Sequence, residues 1–489
     1  MPCESRINDT AAKLVGCIQE QALWRHLKNF QRIADENPGR DGHGNRNIGT
    51  SGYKASVEYV ARQMGRAGYR VTIQPYVWRD AQVVGSPSFD ADGRNYRISQ
   101  DWFVASLSGS GTLTALVQPA GTGRDDSDTG CTSRDFAGFK PGHIALVRRG
   151  TCSYDTQVDY AEAAGAVAVV IYNSKGSPGE TGGRGRTDGS AFQARLFDST
   201  RVPVIGVASY AVGADFSRRY GAGTAPAVHL DIRTRKISDV DYNVIADSPF
   251  GDPNRVVVVD GHLDSIYGAG MLDNASGSTT MVEIALMLAR THTYNRLRYI
   301  WFGGEEIGLL GSHYYTRNLS PKELGRIVFD IDVDVTATPN FAILVADPAH
   351  ARNVKRFPPN VVPDSRVGNR DFAEYFRSVG MPSRNAIFGN DGTDSNSFSL
   401  VGVPNSGILT QQDCCKHAQG VALWGGFPGN FEGKVPGWNG GCVDQPERWC
   451  DNLSNNDPFV LEFVSKAVAD VTLRLANDRS LKHADPAGN

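Results

Sequence analysis

The chain has 489 residues, a length that suggests two or three domains, each able to bury its own core. It is 40% hydrophobic and 21% charged with a formal net charge of -3, an ordinary composition for a globular protein. No block of Lys or Arg dominates and no apolar run reaches the ~18 residues of a membrane span, so neither a nucleic-acid or membrane-surface partner nor a spanning helix is expected.

The opening Met1-Pro2-Cys3-Glu4-Ser5-Arg6 lacks an apolar core and does not read as a signal peptide. Either the protein is cytosolic or this is the mature part of a secreted chain, and the cysteines favour the second. There are eight, and six fall into locally spaced pairs: Cys3 with Cys17, Cys131 with Cys152, and Cys442 with Cys450. Such pairs fit an oxidising compartment, although spacing alone does not fix connectivity. Cys414 and Cys415 are adjacent and their state stays open. Asn8, Asn318 and Asn452 match the short glycosylation pattern.

Residues 1–20 read as an N-terminal arm. Leu23, Leu27, Phe30 and Ala34 recur at helical spacing, as do Val57, Val60, Ala61 and Met64, with a Gly- and Asn-rich loop from Asn37 to Gly52 between them. Gly68 should end the second helix, and Tyr69 to Trp78 alternates like a strand. Residues 21–100 thus form the first part of an α/β domain. From 101 to 237 the texture becomes β-rich, with short runs at Thr112–Val117, Ile144–Val147, Val167–Tyr172, Val202–Val207 and Val228–Ile232 and a small helix ending near Gly165. His143 and His229 stand alone there, which is more often structural than catalytic.

The α/β pattern resumes over 238–478, with a mobile tail expected at 479–489. Val256–Val259 is a buried strand, Met281, Ile284, Ala285 and Leu288 line a helix, and Leu297–Phe302 is the next strand. A helix is expected from Ile307 to Tyr315 and a strand from Ile327 to Val335, the latter carrying Asp330, Asp332 and Asp334 on one side. Leu461, Val464, Val468, Val471 and Leu475 make a last amphipathic helix. This order argues a mixed, mostly parallel central sheet covered by helices on both faces.

Two strands deliver metal-type residues to their carboxyl ends, where open α/β sheets bind ligands. His262 and Asp264 follow the first; Glu305 and Glu306 follow the second; Asp273 lies in a Gly-flanked turn between them. An imidazole bound to a metal needs an acceptor on its other nitrogen, and Asp264 is placed for that. One carboxylate as ligand and another as general base is what metal-assisted hydrolysis requires. Asp273-Asn274-Ala275-Ser276 also suits a helix cap, and Glu305-Glu306 a helix start, but capping does not ask for the histidine.

The ordered series resembles the co-catalytic zinc exopeptidases of the aminopeptidase Y and glutamate carboxypeptidase type. Arg148-Arg149-Gly150-Thr151-Cys152-Ser153 and Ala163-Ala164-Gly165-Ala166 resemble signatures of the protease-associated domain often inserted in such enzymes. The resemblance implies two zinc ions and peptide substrates. His262 and Asp334 would hold one ion, Asp273 would bridge, Glu306 would hold the other, and Glu305 would be the base that deprotonates a bridging water. Asp334 is preferred over Asp332 by its spacing to Asn340. The family's last ligand lies in Cys-Tyr-His-x-x-Cys-Asp; here Val443 and Asp444 stand at the Tyr and His positions, so Asp444 is the expected fifth ligand. Neither His417 nor His483 is placed to replace it. The resulting expectation is a secreted zinc aminopeptidase. A peptidase-like binding protein and a metallo-carboxypeptidase remain the alternatives, and oligomeric state stays open.

Overall fold

The computed structural model describes residues 3–39, 42–98, 100–121, 129–150, 152–174, 189, 191, 193, 194, 196, 199–351, 354–386, 393–412, 414–432 and 450–484. The chain divides into two compact units. One is built from Met1–Tyr76 and Val240–Asn489, the other from Val77–Ser177 and Arg186–Asp239.

In the first unit, helix α1 (Glu20–Glu36) and helix α2 (Ser51–Ala67) lead into β1 (Arg70–Val83). Thr50 caps α2 by accepting from Tyr53 N, and Gly68, at φ 94°, ends it in the left-handed conformation that its sequence position suggests. The chain continues through β2 (Thr234–Asp247), β3 (Asp252–His262), α3 (Ser276–Leu288), β4 (Asn295–Phe302), α4 (Leu310–Arg317), β5 (Ile327–Val333), β6 (Leu344–Ala346), α5 (Val361–Ser378), β7 (Arg384–Ala386), α6 (Ser395–Leu400), β8 (Asn405–Leu409) and α7 (Pro458–Asn477). The eight-stranded sheet has the order β1-β2-β4-β3-β5-β8-β6-β7. β4, β3, β5 and β8 are mutually parallel; β2 pairs antiparallel with β4, β6 pairs antiparallel with β8, and β7 runs parallel to β6.

Both faces of this sheet are covered, which explains why β3 reads as unbroken valine. Val257 and Val259 join a core with Leu27, Phe30, Met64, Ile284 and Val468, while Val256 and Val258 join another with Phe302, Tyr315 and Phe398. Each such fully buried side chain contributes roughly 1.5–3 kcal/mol. The helix expected from Ile307 begins at Leu310. Leu309 N bonds to Glu305 O and Leu310 N to Gly304 O, so Glu305–Leu309 is a turn rather than a first helical turn. The strand expected to reach Val335 ends at Val333, which leaves Asp334 beyond the ladder.

Cys3 is bridged to Cys17 and Cys131 to Cys152. Cys450 is disulfide-bonded, while Cys442 lies outside the described residues. Asn8 is fully buried and donates to Cys3 O and Met287 O, so its sequon is structural. No helix among the described residues is long and apolar enough to cross a membrane.

The second unit holds a seven-stranded sheet that includes Gly111–Pro119, Ile144–Arg148, Ala168–Tyr172, Val204–Ala208 and Ala227–Ile232, close to the runs read from sequence. It also holds a helix that the sequence reading missed, Tyr210–Gly221. Two glycines hide it. A Cβ on Gly213 would lie 1.9 Å from the Tyr172 ring, so close helix-to-strand packing takes a glycine despite the propensity cost.

Candidate metal centre

β3 and β4 are in parallel register, with His262 opposite Phe302, so both chains leave the sheet at the same edge. His262 is buried and its Nε2 lies 2.9 Å from Asp273 Oδ1, 3.4 Å from Asp334 Oδ1 and 4.0 Å from Glu305 Oε2. Two sets of potential ligand atoms each fall within 4.8 Å of one another: His262 with Asp273 and Asp334, and His262 with Glu305 and Glu306. The structure therefore gathers His262, Asp273, Glu305, Glu306 and Asp334 around one point. Val443 and Asp444 lie outside the described residues. His483 is elsewhere, bonded to Gly325 O and beside Arg255.

Asp264 sits as expected on the far side of His262, with a difference in detail. The nearer acceptor for Nδ1 is the Asp264 backbone carbonyl, at 3.0 Å; its carboxylate Oδ1 stands at 3.6 Å. That same Oδ1 accepts from Glu305 N at 3.3 Å, tying the Glu305-bearing turn to the histidine-bearing one.

Burial alone would push the His262 imidazole down, but Glu305 and the Asp264, Asp273 and Asp334 carboxyls hold it well above its usual value. Glu305 is pushed far up by burial and by the Asp394, Asp334 and Asp273 charges, against the opposing pull of His262. Asp334 Oδ1 is buried with no hydrogen-bond partner. A single imidazole faced by four carboxyl groups is short of positive charge, and a buried carboxylate oxygen without a donor is costly. A divalent cation supplies what is missing, so these residues fit a metal of the zinc type.

Asp332, the rival of Asp334, is engaged otherwise. It accepts from Thr393 Oγ1 at 2.7 Å and from Ser395 N at 3.2 Å, and burial and Asp334 push its carboxyl up to about 6. Asp330, on the same face, is fully buried near Asp260, and burial followed by neighbouring carboxyl groups pushes both well above the carboxylate range.

Several further residues hold the centre, and of these only Asn274 carried a sequence expectation, as part of a helix cap. Asn274 donates to Val333 O at 2.9 Å and accepts from Gly277 N at 2.9 Å and Val335 N at 3.1 Å, stapling the start of α3 to the end of β5. A Cβ on Gly277 would lie 2.2 Å from Val333 O, so this close approach takes a glycine. Arg46 is fully buried and donates to Leu263 O, Gly270 O and Ala269 O at 2.7–2.8 Å, organising the loop between His262 and Asp273. Burial lowers its guanidinium to about 10 against the pull of Asp451 and Asp264. Asp451 accepts from Leu272 N at 2.8 Å and Asp273 N at 3.2 Å. The signal for Arg46 was faint, one cation in a Gly- and Asn-rich loop; Asp451 stood in plain sight next to Cys450.

Residues 243–429 match Peptidase family M28 and residues 111–216 match the PA domain. An aminopeptidase from Pseudomonas aeruginosa is 32% identical over 471 residues, covering 95% of this chain and 82% of that protein. The chain belongs to peptidase family M28. Among solved structures, an aminopeptidase from Aneurinibacillus sp. strain AM-1 superposes with a TM-score of 0.71 at 20% identity over 97% of this chain and 98% of that one. A zinc aminopeptidase from Bacillus subtilis gives a TM-score of 0.60 at 22% identity over 96% and 98%. These two likenesses confirm the mixed α/β fold of the M28 chain.

Proposed function

We propose that this M28 chain is a zinc-dependent aminopeptidase that hydrolyses the peptide bond next to a free N-terminus. The observation that carries the reading is the convergence of Asp273, Asp334, Glu305 and Glu306 on His262 within a family of metallopeptidases. Its relative from Pseudomonas aeruginosa is an aminopeptidase, so neither a carboxypeptidase nor a binding protein is the favoured alternative.

The residues that would hold metal are His262 and Asp334 at one position, Asp273 between two, and Glu306 with Asp444 at the second, for two zinc ions in all. Zinc bound there supplies Lewis acidity that polarises both the scissile carbonyl and an attacking water. Glu305 takes the proton of that water at its carboxylate. It then passes that proton to the leaving amine as the C–N bond breaks. Asp264 fixes the orientation of His262, and Asn274, Arg46 and Asp451 fix the two loops. The bridged cysteines support residence in an oxidising, extracellular compartment.

Metal analysis of the purified protein, combined with hydrolysis of aminoacyl p-nitroanilides, tests this reading. Two equivalents of zinc, chelator-sensitive turnover and its loss in Glu305→Gln are expected. Turnover that survives both chelation and Glu305→Gln would sink it.

A further inference from the structure

At the end of α3 remote from His262, three helices enclose an open pocket of ≈ 590 Å³. Asp273 lies just before α3, and the pocket residue Arg290 lies just after it. At 1.5 Å per residue this helix of 13 residues sets the two about 20 Å apart, so the pocket is not part of the metal centre.

Three guanidinium groups, each from a different element, border the pocket: Arg25 on α1, Arg66 in the last turn of α2, and Arg290 beyond α3. No carboxylate lines it among the described residues, and none of the three arginines has an ion-pair partner there. Glu283 is buried behind the lining residue His26, with its Oε2 at 3.3 Å from His26 Nε2. His26 itself is buried, with Nδ1 at 2.6 Å from the Tyr59 hydroxyl and Nε2 without a hydrogen-bond partner. Leu286 adds an apolar patch.

Part of this charge has an ordinary cause. Arg66 and Arg290 stand at the carboxyl ends of helices, where the backbone field favours a cation. Arg25 does not. It lies in the second turn of α1, far from that helix's carboxyl end, so the backbone field does not account for it. An exposed arginine is at home in water, but three brought together without a counter-charge repel one another, and an anion relieves that repulsion. Guanidinium groups suit planar or tetrahedral oxyanions through paired N–H donors.

We propose that this pocket binds a small ligand bearing a phosphate, sulfate or carboxylate group, with the anionic head among Arg25, Arg66 and Arg290 and an apolar body against Leu286 and Tyr59. Calorimetric titration of the zinc-loaded full chain with phenyl phosphate, at fixed ionic strength, tests it. The wild type should bind, and Arg25→Gln/Arg290→Gln should weaken binding by about 10-fold or more. The charge-retaining Arg25→Lys/Arg290→Lys should recover part of the loss. Inorganic phosphate run in parallel separates the sources: weaker binding than phenyl phosphate points to an organic ester, and equal binding to a free oxyanion. Because these arginines are exposed, the variants should unfold at the wild-type midpoint and hydrolyse substrate at the wild-type rate. No binding by the wild type, or binding unchanged in the Gln double variant, which would place the anion at the metal centre, overturns the proposal.

Discussion

The two larger sheets among the described residues are made of similar strands and end in different chemistry. In the peptidase unit, β3 is buried from Val256 onward and β5 along its whole length, and their carboxyl ends release His262 and Asp334 into a shared, electron-rich centre. In the PA-matching unit, Ile144–Arg148, Ala168–Tyr172 and Val204–Ala208 are parallel and as apolar, yet among the described residues no metal-type group forms there. Strand burial builds the scaffold in both; function comes from which side chains stand just past the last ladder residue.

The largest expected effect lies at that edge. Glu305→Gln should lower hydrolysis by roughly 10²–10⁴-fold with zinc content unchanged, measured by steady-state kinetics and metal analysis. Chelation should in addition lower the unfolding midpoint of the peptidase unit and leave that of the PA-matching unit in place. Equal movement of both transitions would break the contrast.

Next is Arg46→Ala. Three buried carbonyl groups lose their donors and Asp451 loses a nearby cation, so denaturant unfolding should show a loss of about 3–5 kcal/mol. The third test sharpens the comparison from the other side. Replacing Cys131 and Cys152 by Ser opens a bridge across a sequence separation of 21, which should cost the second unit about 3 kcal/mol while leaving zinc content alone.

The smallest effect is one of pH. His313 is held neutral by burial and by Arg317 and Arg356, which lower it to about 4. Between about 4 and the ordinary value of about 6.5 the unfolded chain binds the proton and the folded one does not. Stability of the peptidase unit is therefore lost as pH falls through that window, by at most about 3 kcal/mol, and His313→Gln should flatten this part of the profile. A profile unchanged by the substitution would assign the acid sensitivity to other groups.

Sequence by itself determined the periodic parts: α1, α2, α3, α7, the buried strands and the order of His262, Asp273, Glu305, Glu306 and Asp334. Those follow from local rules, since apolar spacing and the residue just beyond a strand are written along the chain. Contacts between distant segments were not legible there. Arg46 sits in a polar loop by sequence, and only the packing of that loop onto Leu263–Gly270 makes it a buried cation. Asp332 and Asp334 lie on one face by sequence, yet Thr393 and Ser395, some 60 residues on, hold the first closely, while the second meets Thr393 only at 3.5 Å and turns its other oxygen toward His262. The choice between them rests on which donors the fold brings close, because a buried carboxyl group takes its charge and its role from its neighbours.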